Sequence, residues 1–328
     1  MVGKMKNLGQ GEKMLYVVLL CALACITIKG YSGKKVSCNI KNSKDPYVFS
    51  LIRMVFCILI GLGFVVVENS ARFLLPELKM ILICVLSGAA NAAFLVFWMI
   101  AVRKNSMVTV DVGLTLGSLI PSVLCLLIFK EAFSVSKMIG FAFILLATFI
   151  LSSSNSNKRE KSFVGMALVA IAAIGDGMAS FSQQLYKHFY TAEGSRVGSV
   201  VYPKTIFHLY TYVFTALILL TVIICYSIIE AKKRTKSKQN VTYERSLTAK
   251  IVLHIFIMAA CLFAANYLQT VATTDYKMPS QMMYPIVRGG TLVTVNIVAM
   301  AFFGEKITKR SVSGTLVALV GIVIMSVL

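Results

Sequence analysis

The sequence predicts an all-α polytopic membrane protein whose ten transmembrane helices form two inverted five-helix repeats. Three observations carry that expectation. The chain of 328 residues is 58% hydrophobic and only 14% charged, with a mean hydropathy of +0.81, whereas soluble domains carry about 25% charged residues. Its apolar residues fall into runs long enough to cross a bilayer, which takes roughly 20 residues. One short block also occurs twice, as Phe129-Lys130-Glu131 followed by Gly140 and as Phe303-Gly304-Glu305 followed by Gly314. All three positions are displaced equally, and an apolar stretch follows each glycine.

The apolar runs of the first half lie at about 14–33, 47–67, 79–102, 107–129 and 137–154. Those of the second half lie at about 163–187, 204–229, 249–274, 280–303 and 311–328. Lipid offers no hydrogen bonds to a bare backbone, so each run is expected to be a helix. A β-barrel would alternate apolar and polar residues, and nothing here alternates that way. The first run lacks a small-residue cleavage site and leads into a serial pattern, which makes it a helix rather than a signal peptide. The polar stretch Ser152-Ser153-Ser154-Asn155-Ser156-Asn157-Lys158 suits a linker, dividing the chain into repeats 1–156 and 157–328. An odd number of spans per repeat forces the second copy to insert upside down.

Other classes fit poorly. The eight cysteines form no CxxC pair, and all but Cys38 lie inside apolar runs, where a small soft side chain packs well. No metal and no cofactor are expected. The net charge of +20 comes from Lys and Arg confined to short connections, a topology signal rather than a nucleic-acid footprint. Lys232, Lys233, Arg234, Lys236 and Lys238 make one odd-numbered connection the most basic, which favours a cytoplasmic side for that set. The 13 Asp and Glu are scattered singly and no HExxH motif occurs, so no catalytic residues are expected and the chain is not read as an enzyme. It also lacks a GxxxxGK[ST] loop, hence any ATP motor of its own.

Charge inside a membrane costs about 2.5–3.5 kcal/mol per residue and marks function. Asp176 sits midway along its run between Gly175 and Gly177, which permit close backbone approach or local unwinding. Gln183 projects from nearly the same face. Asp176 is therefore a candidate cavity residue and the candidate that takes up and releases a coupling proton. The alternative is a buried carboxylate neutralised by Arg or Lys to hold two helices together. Arg288, between Pro285 and Gly289-Gly290, suggests an irregular helix facing a cavity. Its fork suits a substrate carboxylate or phosphate, with pairing to Asp176 as the alternative. Lys29 ends the first run and is expected at the interface, and Arg53 is close enough to a run's end to snorkel. Glu131 and Glu305 precede a helix start, where an acid offsets the helix dipole. The uncharged candidates are Asn91, Trp98, His208, Tyr210, Tyr212, Asn266, Gln269 and Tyr284; Asn91 and Asn266 occupy similar places in the two halves. Gly113 and Gly117 form a GxxxG suited to close helix packing.

On these passages the chain resembles the drug/metabolite transporter superfamily, specifically its EamA-like ten-helix members. The repeated Phe-x-Glu block carries the likeness, with Asp45-Pro46 leading to Arg53, and Pro121 ten residues before Glu131. The second half departs in having Val295 where the first half would place a proline, and Pro285 instead. The resemblance implies a multi-pass secondary carrier in the cytoplasmic membrane, moving small amino-acid-like or other amphipathic metabolites by alternating access. It gives Arg53, Glu131 and Glu305 structural or gating roles. The implied partners are a small-molecule substrate and membrane lipid, with a homodimer as one arrangement and no nucleic acid. A lipid-carrier flippase or channel on the same scaffold is the alternative, followed by a membrane-embedded transferase.

Overall fold

The computed structural model of the chain describes residues 2–105, 107–130, 135–154, 163–191, 201–237, 247–304 and 309–327. Its regular elements are all helical: α1 (Val2–Ser37), α2 (Asp45–Val67), a 3₁₀ turn (Ala71–Phe73), α3 (Leu78–Lys104), α4 (Met107–Gly117), α5 (Leu119–Phe129) and α6 (Val135–Ser154), then α7 (Phe163–Tyr190), α8 (Lys204–Ser237), α9 (Ala249–Thr274), α10 (Ser280–Phe303) and α11 (Lys309–Val327). With α4 and α5 taken as one span, these make ten helical spans. Eight are long and apolar enough to cross a membrane, while α6 and α11 contain the shorter apolar segments Met138–Ile150 and Val312–Gly321. The chain is a multi-pass membrane protein by this measure. Large apolar side chains such as Leu59, Leu82, Leu127, Phe149 and Leu253 stand exposed on the helices, as lipid-facing residues do.

The fourth apolar run is not one straight helix. α4 stops at Gly117, Ser118 makes a turn, and α5 resumes at Leu119. Pro121 explains this, because it has no N–H for the Gly117 carbonyl and its ring crowds that carbonyl. Two hydroxyls stitch the break: Ser118 Oγ donates to the Thr115 carbonyl at 2.7 Å and Ser122 Oγ to that of Ser118 at 3.0 Å.

Small residues set the crossings around α7. A Cβ on Gly175 would lie 2.8 Å from both the Ala90 carbonyl oxygen and the Phe94 nitrogen, so α3 and α7 touch backbone to backbone. On the opposite face, a Cβ on Gly177 would lie 2.5 Å from the Gly117 carbonyl oxygen, and one on Gly117 would lie 2.5 Å from that of Ala173. Gly113 meets Val169 one turn earlier. The GxxxG therefore packs α4 against α7, as small residues do in membranes. The glycines flanking Asp176 serve close approach, and α7 continues through them without unwinding.

Further packing joins α1 to α9 and α10, α2 to α8 and α9, α3 to α8, the α4–α5 span to α10, and α6 to α11. Phe263 gathers the rings of Phe64, Tyr212 and Tyr267 at centroid distances of 5.2–6.2 Å. The repeated block also has a backbone meaning. Lys130 after α5 and Gly304 after α10 both adopt the left-handed conformation that closes a helix. Glu131, Glu305 and the linker residues Asn155 to Lys158 lie outside the described residues.

Candidate functional site: a charged cavity between the helices

Mid-way along the bundle, α1, α3, α7, α8, α9 and α10 enclose a polar cavity of about 30 Å³. That holds one or two water molecules, not a metabolite. Seven cavity candidates from the sequence line it: Asn91, Asp176, Gln183, His208, Asn266, Gln269 and Arg288. Ser87, Ser180 and Thr211 join them. Arg288 of α10 donates Nη2 to Asp176 Oδ2 of α7, forming an ion pair whose two side chains are both 11% exposed. The pairing and cavity roles weighed separately for these residues thus coincide. α10 runs unbroken past Pro285, so Arg288 is presented by a continuous helix and not by an irregular one.

Tyr284, Trp98, Tyr210 and Tyr212 sit off the cavity. Tyr284 lies behind its wall, where its hydroxyl accepts from Gln184 Nε2 at 3.0 Å and stands 2.7 Å from the Ser180 carbonyl oxygen. Gln183 Oε1 lies 3.2 Å from the same hydroxyl, so Tyr284 fixes the wall on which Gln183 sits. Trp98 packs on Gly33 and lines a second chamber of about 20 Å³. This chamber shares Ile26, Lys29 and Arg288 with the first and adds Asp111 and Thr291.

Lys29, expected at the interface, is 6% exposed and lines both chambers. The apolar run ends near residue 33, but α1 continues to Ser37, so Lys29 stands two turns inside the helix. Arg53 is 1% exposed and does not snorkel; its Nε and Nη2 have no hydrogen-bond partner. α2 starts at Asp45, which places Arg53 beyond its second turn, facing the bundle. Asp111 was missed entirely. It is 8% exposed, and its Oδ2 has no hydrogen-bond partner. The signal was available, since Val110-Asp111-Val112 puts an acid within an apolar run.

Polar contacts flank the cavity toward both ends. At one end the Tyr267 hydroxyl donates to Glu68 Oε1 at 2.9 Å and the Thr205 hydroxyl to Glu68 Oε2 at 2.7 Å. Lys204 Nζ pairs with Asp275 Oδ1 at 2.8 Å beside them. One layer deeper, His208 Nε2 lies 3.0 Å from Thr270 Oγ1, and Asn266 Nδ2 donates to the Tyr212 hydroxyl at 3.1 Å. At the other end Lys34 Nζ donates to the carbonyls of Val102 and Asn105, at 2.7 and 3.1 Å, clasping the carboxyl end of α3.

No family model matches the chain, and no curated protein sequence matches it. A solved structure, described only as a protein, is similar over 96% of this chain and 97% of its own length, with a TM-score of 0.66 at 9% identity. At that identity the likeness establishes a shared helical fold and nothing about activity.

Proposed function

We propose that the chain is a secondary carrier for small polar or amphipathic metabolites, built as two inverted five-span repeats that rock around the central cavity. The observation that carries this reading is the cavity itself: charged, lined by amides and hydroxyls, set among apolar helices and flanked by polar contacts toward both ends. Polar groups are costly inside a membrane, and a cluster of them around a cavity marks a solute path. A cavity of about 30 Å³, smaller than a metabolite, fits a carrier between loading events.

Packing supports the repeat. When each span is exchanged with the one five places along, the set of close pairs largely maps onto itself. The α3–α7 pair exchanges with α9–α1, α3–α8 with α9–α2, and the α4–α7 pair with α10–α1; α2–α8 and α6–α11 map onto themselves. The matching left-handed closures at Lys130 and Gly304 obey the same exchange. These features agree with the EamA-like resemblance and with a site between halves. We ascribe no chemical reaction to the chain, and its membrane is read as the cytoplasmic one.

Counterflow in proteoliposomes tests the carrier. Protein loaded with a permeant solute on the inside should accelerate uptake of the same labelled solute from the outside, and a channel would show no such stimulation. A flippase for lipid-linked cargo is the second reading, favoured by an apolar groove of about 570 Å³ between α1 and α10. It would respond to lipid-linked cargo alone.

A further inference from the structure

Resting on the carrier reading, we propose that the solute is a small carboxylate whose charge is taken by Lys29. Among the described residues, the Lys, Arg, Asp and Glu side chains lining the two chambers are Lys29 and Arg288 against Asp111 and Asp176. Arg53, 1% exposed and in neither lining, adds a third buried cation close by. Arg288 is committed to Asp176. Among the described residues Lys29 Nζ has no hydrogen-bond acceptor, and the Phe94 ring lies 5.3 Å from it. An ammonium taken out of bulk water, with a ring beside it and room for one or two waters, lacks much of what hydration gave it. The charges acting on it from neighbouring helices are Arg288, Asp176, Arg53 and Asp111.

A single negative charge on the solute gives Lys29 the acceptor it lacks. Lys29 lies at the junction of the two chambers, where a bound group would meet it first. The surrounding donors suit an oxyanion. Asn91, Gln183, Asn266 and Gln269 bring amide groups to the cavity wall, and Ser87 and Thr211 bring hydroxyls. A carboxylate carries one charge, whereas a phosphate monoester brings closer to two and would overshoot. A carboxylate also accepts both an ammonium and several neutral donors at once.

The experiment has two parts. In the first, the melting temperature of purified empty protein is compared with that of Lys29→Met and Lys29→Arg. Removing an unpaired buried charge should raise the melting temperature by a few degrees in Lys29→Met, with Lys29→Arg near wild type; a lower melting temperature for Lys29→Met would show that the lysine is already paired and overturn the proposal. In the second, lactate, L-leucine and N-acetyl-L-leucine are each compared with their own amide, by thermal shift and counterflow in sulfate buffer, with chloride as a further arm. At least one acid should exceed its amide by tenfold or more in apparent affinity, and Lys29→Met should abolish the difference while Lys29→Arg retains it. No acid exceeding its amide, or chloride alone giving the full shift, overturns the carboxylate assignment. Counterflow of any member, amides included, would leave the carrier reading standing when this one falls.

Discussion

Lys130 and Gly304 close the fourth and ninth helical spans with the same left-handed turn, at φ 51° and 65° respectively. A side chain in that conformation costs roughly 1 kcal/mol relative to glycine. Lys130→Gly should therefore raise stability by about 0.5–1 kcal/mol, and Gly304→Ala should lower it by about the same amount. Chemical denaturation in detergent micelles measures both.

The Asp176–Arg288 pair joins α7 to α10 within the second half of the chain. Removing one partner leaves the other charge buried, which costs about 3–5 kcal/mol. Asp176→Asn and Arg288→Gln should each destabilise by that order, and the double variant should recover a large part of the loss. A thermodynamic cycle over the four proteins gives the coupling, and strict additivity would show that the pair carries no stability.

Gly175 lets α3 and α7 meet through their backbones. The added methyl of Gly175→Ala would press on the Ala90 carbonyl and the Phe94 amide, neither of which can rotate away. Overpacking of this kind costs about 1–3 kcal/mol. The loss should appear in thermal melts, together with reduced counterflow, because Asp176 is the next residue.

Trp98 is the single tryptophan of the chain, so its fluorescence reports one place. It rests on Gly33 at the second chamber. Gly33→Ala should displace the indole and shift its emission maximum, and a solute entering beside Lys29 should change the same signal. An unchanged spectrum in Gly33→Ala would contradict the packing described.

The contact between Lys204 and Asp275 is exposed at the rim, where an ion pair contributes about 0–1 kcal/mol. Asp275→Asn should leave stability nearly unchanged. Cysteines at both positions, in a background without the eight native ones, should stop counterflow when bridged by a short bis-thiol reagent and release it on reduction.

The helices were legible because apolar runs are the price of crossing lipid, and Asp176, Arg288, Gln183, Asn91 and Asn266 were legible because polar residues interrupt those runs. Depth was not. Lys29 and Arg53 were placed by their distance from the end of an apolar run, yet α1 and α2 extend past those ends through polar turns, which moves both residues inward. Trp98 and Tyr284 occupy the right helices, but which face meets the cavity depends on helix rotation, and that is set by contacts such as Trp98 on Gly33. The turn at Ser118 was hidden because Pro121 lies three residues beyond it, inside an otherwise uniform apolar stretch.

At Gly117 and Gly177 the backbones of α4 and α7 meet with no side chain between them. Such a junction resists sliding, since any axial shift drives a neighbouring side chain into a carbonyl, but it tolerates swivelling. The junction sits beside the Ser118 bend, with α4 and α5 as arms of 11 residues each. In the transport cycle proposed above, spin labels at the two far ends of that span should therefore move in opposite senses, like the ends of a see-saw.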